Sequence, residues 1–221
     1  MAAQRDALGA IVRDPLGNIV QDSAPTPTST PRFIKGKSRA PTQKQVEDVE
    51  KQFPVTAKRL ADPNLRALTD SVAKATDEDP DLLRAVQAIE TTARHTKDNG
   101  EIVKSEAGAL GIHQLMPTTA KGLGINPYDS VDNVRGGALL LKQLRNTFKG
   151  DTHKMLAAYN AGPDVVNRAV RRHGENWRGF LPDETKNYLT NFDLVHAKIK
   201  GEGLPTERTS EDDIRKPWES S

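Results

Sequence analysis

Apolar residues recur at intervals of three and four positions through the middle of the chain. In LLRAVQAIE, positions 82–90, they share one arc of a helical wheel, because each helical residue turns about 100° around the axis. The residues on this arc are Leu82, Leu83, Val86 and Ile89. No stretch shows the sustained alternation of apolar and polar residues that is typical of a strand. The pattern therefore predicts an all-α core.

Capping residues, prolines and glycines mark the ends of the predicted helices. Ser, Thr or Asp before a helix accepts hydrogen bonds from its first amides, Pro fits the first turn, and Gly adopts the left-handed conformation that ends it. The predicted helices run from Thr42 toward Phe53, from Asp62 to about Ala75, from Asp79 through Glu90, from Pro117 to about Gly122–Gly124, from a cap at Asp132 to Lys149, from Thr152 to Asn160, from Pro163 to His173 and from Asp183 to Lys200.

The two ends of the chain differ from this helical middle. Residues 22–42 read DSAPTPTSTPRFIKGKSRAPT, in which repeated prolines favour extended backbone and few apolar side chains are available to bury. We expect a flexible N-terminal docking segment with a Pro/Thr linker at residues 1–41 and a helical N-terminal extension at 42–78. The main helical domain should occupy residues 79–200, and a polar tail residues 201–221.

Composition narrows the classes of function. The chain has 221 residues, enough for one domain with a substantial core, and its formal charge of +2 gives no strong case for binding nucleic acid or a membrane surface. It contains no cysteine, which excludes disulfides and thiolate metal sites. We find neither the basic and apolar regions of an export signal nor an apolar run long enough to span a membrane.

Glu90 is the residue in the apolar arc that calls for a chemical explanation, since it lies between Leu83 and Val86 on the wheel. A carboxylate packed against aliphatic side chains loses hydration, so its pKa rises and it tends to hold its proton near neutral pH. Such a group is suited to general acid catalysis. A structural role is the alternative, with Glu90 paired to Arg84, Arg94 or a backbone amide.

Two further segments combine small and polar residues, SEAGALGIHQLMPTTA at 105–120 and AAYNAGPDVV at 157–166. Such composition is typical of backbone that passes close to a ligand. Together with Glu90, these segments resemble the soluble lytic transglycosylase family, whose members cleave peptidoglycan and share a lysozyme-like helical fold. Four motifs in the family's order are far more specific than any one alone. The matching residues are Glu90; Ser105, Gly108, Ala109, Gly111, Gln114, Met116, Pro117, Thr119 and Ala120; Asn133 and Gly137; Ala157, Ala158, Tyr159, Asn160, Ala161 and Gly162; and Glu184, Thr185 and Tyr188.

The chain departs from the family pattern at several positions. Thr91 replaces a Ser but keeps the hydroxyl, and His113 stands where the family has Met. The interval between Glu90 and Ser105 is longer than usual and holds the polar loop HTKDNGEIVK. His113 should either make the sugar-contacting surface more polar and titratable or face solvent on the rim of the cleft. No second ligand at metal spacing accompanies it, so we expect no metal.

The resemblance implies a reaction that needs no cofactor. It implies cleavage of the β-1,4 bond between N-acetylmuramic acid and N-acetylglucosamine without water, with Glu90 acting first as acid and then as base, to give a 1,6-anhydro product. The substrate-binding residues that it implies are Ser105, His113, Gln114, Tyr159, Asn160 and Tyr188. Tyr159 could instead be a core residue with one polar contact, and Glu184 is expected to shape the groove or form a salt bridge.

Three other functions are alternatives to this one. A hydrolase would need a further carboxylate to position water, and the loop residues Asp98, Glu101 and Glu106 could supply it or simply face solvent. A non-catalytic wall-binding or virion structural protein is the second alternative. Nucleic acid is not expected as a partner, since Trp177 is the one aromatic residue within a basic cluster. That cluster comprises Arg168, Arg171, Arg172, His173 and Arg178.

A wall-cleaving enzyme has to reach the wall, and its partner there would be the peptidoglycan glycan strand. We expect a virion protein that acts in the host periplasm, docked to the particle through residues 1–41. Delivery by a secretion system is the alternative, in which the same segment would bind components of the secretion machine.

Overall fold

The computed structural model describes residues 41–201, and this part of the chain is helical without an extended strand. Its helices are α1 (Gln43–Leu60), α2 (Pro63–Thr76), α3 (Pro80–Thr91), α4 (Pro117–Leu123), α5 (Ser130–Phe148), α6 (Thr152–Ala161), α7 (Pro163–His173) and α8 (Asp183–Ile199). A 3-10 helix at Gly174–Phe180 connects α7 to α8. The predicted all-α fold is confirmed. Apart from residues 41 and 201, the predicted docking segment and polar tail lie outside the described residues.

Side-chain caps explain where most of these helices begin. The Thr42 hydroxyl and the Gln45 side chain form a reciprocal capping box at the start of α1. Asp62 and Asp79 accept backbone hydrogen bonds at the starts of α2 and α3, and a proline follows each of them. The sequence therefore encodes these starts locally.

Two predicted boundaries are wrong. Helix α1 continues past Phe53 to Leu60, with Pro54 inside it, although an internal proline usually breaks a helix because it lacks an amide hydrogen. The cap of helix α5 lies three residues before the predicted one, since Asp129 accepts the hydrogen bond from the Asp132 amide at 2.8 Å and the helix begins at Ser130. The Asp132 carboxylate instead accepts a hydrogen bond from the Asn126 amide at 2.9 Å.

Helix α3 lies at the centre of the core. Its Leu83, Ala85 and Val86 have no exposed surface, and it packs against α2 and α8. Helices α5, α6 and α7 extend the same core, while α1 contacts α2, α3 and α8 from outside. The prediction that α3 turns its apolar arc inward is confirmed. No helix within residues 41–201 has the length and apolar character needed to cross a membrane.

The segment between α3 and α4, residues 92–116, is an irregular loop with a buried inner side. Isolated antiparallel bridges join Thr96 to Ile102, Lys104 to Leu110 and Leu110 to Leu115. Its most buried side chains are those of Leu110, Ile112, His113 and Leu115. The loop therefore folds onto the core beside the end of α3 rather than standing off it.

Candidate active site

Glu90 occupies the last turn of α3, where its carboxyl group is half-buried beside α8. The Tyr188 hydroxyl donates a hydrogen bond to Glu90 Oε1 at 2.8 Å. The pKa of Glu90 is raised to about 7, chiefly because burial removes its hydration. The hydrogen bond from Tyr188 lowers this pKa, and the negative charge of Glu184 raises it by a smaller amount. The carboxyl group can therefore hold or release its proton near neutral pH.

The arginines near Glu90 in the sequence are paired with other residues. Arg84 forms ion pairs with Asp70 and Asp81, and Arg94 forms one with Asp98 at 3.1 Å. Among the ion pairs of residues 41–201, none includes Glu90. The alternative in which Arg84 or Arg94 neutralises Glu90 as a structural carboxylate is therefore wrong.

Two tyrosines from different helices border this carboxyl group. Tyr188 belongs to α8, and Tyr159, near the end of α6, donates a hydrogen bond to the His113 carbonyl at 2.6 Å. Burial and the nearby charge of Glu90 raise the pKa of both phenols well above their ordinary value. Both therefore stay protonated and act as hydrogen-bond donors. Tyr159 also packs against the core, as its structural alternative predicts.

A buried asparagine on α5 fastens the loop that carries the family-like motif. Asn133 has no exposed surface; its Oδ1 accepts from the His113 amide, and its Nδ2 donates to the Leu110 and Pro127 carbonyls, each at 2.9 Å. Gly111 lies so close that an added Cβ would meet Asn133 Nδ2 at 2.5 Å. The loop thus takes one fixed position against α5, and a side chain at Gly111 would prevent it.

Thr91 joins the same loop to the end of α3. Its hydroxyl lies 3.3 Å from the Ile112 carbonyl, and the Arg94 amide donates to that hydroxyl at 3.0 Å. The exchange of Ser for Thr noted in the sequence therefore keeps a hydroxyl that links Glu90's neighbour to the loop.

Ser105 and Gln114 are half-buried on this loop and bond to its own backbone. Ser105 Oγ accepts from the Ala109 amide at 3.0 Å. Gln114 Nε2 donates to the Gly111 carbonyl at 2.7 Å and to the Val103 carbonyl at 3.3 Å. Because the amide nitrogen is directed at these carbonyls, the side-chain oxygen of Gln114 is the atom left to meet a substrate donor. Direct substrate contacts by both residues stay a prediction.

The side chain of His113 lies in the core, not at the cleft where the sequence predicted it. Its side chain has no exposed surface, and its ring lies against Gly137, where an added Cβ would approach the ring to 2.3 Å. The Nε2 atom lies 3.2 Å from Gln87 Nε2, and burial lowers the pKa of His113 to about 3, with a smaller lowering by His95. Both expectations for this side chain, a sugar contact and a place on the rim, are therefore wrong. A neutral ring packs in the core, and only the backbone of His113 reaches Tyr159.

Gln87 is a site residue that the sequence reasoning missed. It lies one turn before Glu90 on α3, has no exposed surface, and hydrogen-bonds Thr69 and His113. The signal was present, since Gln87 lies next to Leu83 at the edge of the arc that singled out Glu90. Its side chain bonds with buried polar atoms of Thr69 and His113.

The remaining candidates differ in how far they are exposed. Asp98 and Glu101 are exposed and paired with Arg94 and Lys97, and Glu106 is exposed. Glu184 is exposed one turn before Tyr188, and Asn160 is half-buried next to Tyr159. In the basic cluster Trp177 is buried, so it offers no exposed ring for a nucleic acid base to stack on.

Two surface grooves are lined in part by residues of α1. One, of about 800 Å³, lies between α1 and α8 and includes Gln52 and Asn187. The other, of about 900 Å³, lies between α1, α2 and the residues that follow α3, including Arg94. Glu90 lines neither groove.

Comparison of the sequence with known proteins finds similar transglycosylases. The profile of the transglycosylase SLT domain matches residues 69–178. The chain is 38% identical to the transglycosylase of Enterobacteria phage PRD1 over 90 residues, which are 40% of this chain and 31% of that protein. It is 30% identical to the membrane-bound lytic murein transglycosylase D of Escherichia coli K12 over 120 residues, 46% of this chain and 26% of that one. The peptidoglycan transglycosylase gp16 of Escherichia phage T7 is 28% identical over 162 residues, 63% of this chain and 12% of its own length.

Solved structures share the fold. The lytic transglycosylase Slt of Pseudomonas aeruginosa, solved as an inactive mutant, superposes with a TM-score of 0.52 at 22% identity, covering 73% of this chain and 30% of its own. The 70-kDa soluble lytic transglycosylase of Escherichia coli in complex with bulgecin A gives 0.55 at 21% identity, covering 76% and 30%. The chain thus spans about a third or less of the relatives that it matches.

Proposed function

We propose that this chain, which belongs to the transglycosylase SLT domain family, is a peptidoglycan lytic transglycosylase that cleaves the β-1,4 bond between N-acetylmuramic acid and N-acetylglucosamine. The observation that carries the proposal is the state of Glu90. It is a half-buried carboxyl group with a pKa raised to about 7, hydrogen-bonded by a neutral phenol and, within residues 41–201, paired with no arginine.

One carboxyl group suffices for this reaction. Glu90 donates its proton to the glycosidic oxygen as that bond breaks, and the substrate's own N-acetyl oxygen stabilises the cationic muramoyl carbon. The ionised Glu90 then removes the proton from the muramoyl 6-hydroxyl, whose oxygen bonds to the same carbon to form the 1,6-anhydro ring. Glu90 ends the cycle protonated, and water is not consumed. A pKa near the working pH favours a group that alternates in this way.

Tyr188 is proposed to steady the ionised state of Glu90 between the two steps. Its hydroxyl already donates to Oε1 at 2.8 Å, and a bond to an ionised acceptor is stronger than one to a neutral acceptor. Tyr159 is proposed to hold the His113 carbonyl and so the motif loop. Ser105, Gln114 and Asn160 are proposed to contact the glycan along that loop and the end of α6.

The deciding experiment is mass spectrometry of muropeptides released from purified peptidoglycan. Wild-type protein should release products with 1,6-anhydro ends, and the Glu90→Gln protein at equal concentration should release none above background. Products with reducing ends would instead identify a hydrolase, in which water replaces the 6-hydroxyl as nucleophile. Equal activity in both proteins would remove Glu90 from the mechanism.

We further propose that the protein is carried in a phage particle and opens the host wall in the periplasm, with residues 1–41 docking it to other virion proteins. Its similarity to the transglycosylases of phages PRD1 and T7 supports this setting. Detection of the protein in purified particles by peptide mass spectrometry tests the idea, and its absence from particles would favour delivery by a secretion system.

A further inference from the structure

The backbone directly after Glu90 adopts a conformation that its residues disfavour. Thr92 has φ 55° and ψ 37°, and Ala93 has φ 57°, so two successive residues with side chains lie in the left-handed region. Glycine is the usual residue at the first position past a helix, and a β-branched residue there is unusual. Other contacts have to hold this turn in place.

Helix α1 supplies two of these contacts from outside. Arg59 Nη1 donates to the Thr92 carbonyl at 3.1 Å, and Gln52 Nε2 donates to the Thr92 hydroxyl at 3.2 Å. The two donors are seven positions apart, so they lie on the same face of α1, with the buried Thr56 between them. The Thr92 carbonyl lies at the negative end of the α3 dipole, where a guanidinium donor is most favourable.

The same helix also reaches α8. Gln45 Nε2 donates to Asn187 Oδ1 at 3.4 Å, one residue before Tyr188, and Lys198 Nζ pairs with Glu50 Oε1 at 3.3 Å. Helix α1 thus contacts both elements whose side chains form the bond between Glu90 and Tyr188. It lies before residue 69, where the match to the transglycosylase SLT domain begins.

We propose that α1 is a brace for the catalytic carboxyl group and that Arg59 is its positioning residue, holding the turn at Thr92 so that Glu90 stays directed at Tyr188. The proposal rests on the proposed function for the reaction that Glu90 performs. In this proposal Arg59 acts on Glu90 through the backbone carbonyl of Thr92, two residues beyond Glu90. A displacement of about 1 Å at a reacting group can slow a reaction by about 100-fold, so a loose turn would reduce kcat.

The kinetic test replaces Arg59 by Met, which keeps much of the side-chain length and removes the donor. Arg59→Met should lower kcat about tenfold or more and leave KM within about twofold. Arg59→Lys should recover part of the loss, because its ammonium group keeps a charged donor. Lys51→Met is the matched control, since it removes a cation from an exposed position on α1 and should leave both constants unchanged. Wild-type kcat in Arg59→Met would overturn the proposal.

A second readout does not depend on enzyme activity. The groups that face Glu90 are Tyr188 and Glu184 on α8 and Tyr159 on α6. Loosening the turn admits water to Glu90 and weakens its bond to Tyr188. Loss of hydration is the larger cause of the raised pKa and the Tyr188 bond is the smaller, opposing one, so the pKa, followed by NMR of the labelled carboxyl carbon, should fall in Arg59→Met. Loss of a cation alone would raise that pKa, so the sign separates positioning from simple electrostatics. This result stands even if the protein proves not to cleave peptidoglycan, and an unchanged or raised pKa would overturn the brace.

Thr92→Gly separates positioning from stability. Glycine adopts the left-handed conformation without steric strain, so Arg59→Met combined with Thr92→Gly should fold even if Arg59→Met alone does not. If Arg59 positions Glu90, the double variant recovers thermal stability while its kcat stays below that of Thr92→Gly alone. Equal kcat in those two proteins would show that Arg59 serves stability only and would overturn the proposal.

Discussion

Glu78 and Glu90 are two carboxyl groups withdrawn from water at opposite ends of α3, and they differ in their partners. The Glu78 side chain, just before the helix, is 2% exposed, and Arg145 Nε lies 3.2 Å from its Oε1. Burial raises the pKa of Glu78, while the charges of Arg145 and Lys142 lower it. Glu90, at the other end, has a phenol as its partner and a pKa raised to about 7.

Burial raises the pKa of both carboxyl groups, so the difference between them lies in the charge of the partner. A cation beside a buried carboxylate favours its ionised form and ties the charge into the structure. A neutral donor compensates less, so the carboxyl group can carry its proton at neutral pH and release it without breaking an ion pair. The following variants test this contrast.

The largest effect is expected from Glu90→Gln. Loss of the acid and base should reduce the rate of muropeptide release by about 1,000-fold or more. Because the folded-state pKa is raised from 4.5 to about 7, the carboxyl group costs no stability below pH 4.5 and its full penalty above pH 7, on the order of 3 kcal/mol. The variant should therefore match wild type in thermal melts at pH 4 and exceed it at pH 8. A lower melting temperature at pH 8 would contradict the desolvated state of Glu90.

Arg145→Met tests the other carboxyl group, Glu78, by removing the cation beside it. It should destabilise the fold by about 2–4 kcal/mol at neutral pH, because Glu78 is left as a buried charge without its nearest cation. Since this change raises the pKa of Glu78 further, the loss should shrink as the pH falls and Glu78 takes up a proton. Chemical denaturation across pH measures this, and kcat per folded molecule should be unchanged.

The control for Arg145→Met is the double variant with Glu78→Gln, which removes the stranded charge and should recover most of the lost stability. A large fall in kcat at wild-type stability would show that the Glu78 pair, too, serves catalysis. The proposed separation of roles would then be wrong.

Tyr188→Phe tests the neutral partner. The hydroxyl bond lowers the pKa of Glu90, so its removal should raise that pKa above about 7. In the proposed mechanism cleavage starts from protonated Glu90, so activity should be lost as the pH rises through the pKa of Glu90. The alkaline limb of the pH–rate profile should thus move to higher pH, while the maximal rate falls about tenfold because the ionised intermediate loses a donor. An unmoved limb would mean that Tyr188 does not control the proton on Glu90.

The sequence predicts the helices well because their signals are local. Caps at Asp62 and Asp79 and the 3.6-residue period are readable within a few positions, and the inward place of Glu90 follows from that same period. The predicted end of α1 fails at Pro54, where contacts of α1 with α3 and α8 outweigh a local breaking signal.

The loop between α3 and α4 could not be predicted in the same way. Its shape depends on Asn133, which bonds to His113 and Leu110 from twenty or more positions away. An irregular segment has no period, so the sequence gives no indication of which side chains face inward. The proposed role of Arg59 could not be predicted from the sequence for the same reason, since its partner Thr92 lies 33 positions further on.

The smallest effect on catalysis is expected from His113→Met, which extends the comparison from buried acids to a buried base. Desolvation keeps this imidazole neutral, with its pKa lowered to about 3, and its Nδ1 has no hydrogen-bond partner among the described residues. Methionine has a similar volume and no polar atom to leave unsatisfied, so the variant should fold with wild-type kcat and KM.

The expected signature of His113→Met is a change in how stability depends on pH. Above pH 6.5 His113 is neutral in both the folded and the unfolded chain. Between pH 6.5 and about pH 3 the unfolded chain binds a proton at His113, whereas in the folded chain the ring stays neutral. Stability is therefore lost as the pH falls through this range, and the variant lacks that loss. Denaturation curves at pH 4 and pH 7.5 should show that the variant gains stability relative to wild type only at pH 4. A fall in kcat without this change in stability at pH 4 would contradict the buried position of His113 and indicate a substrate contact.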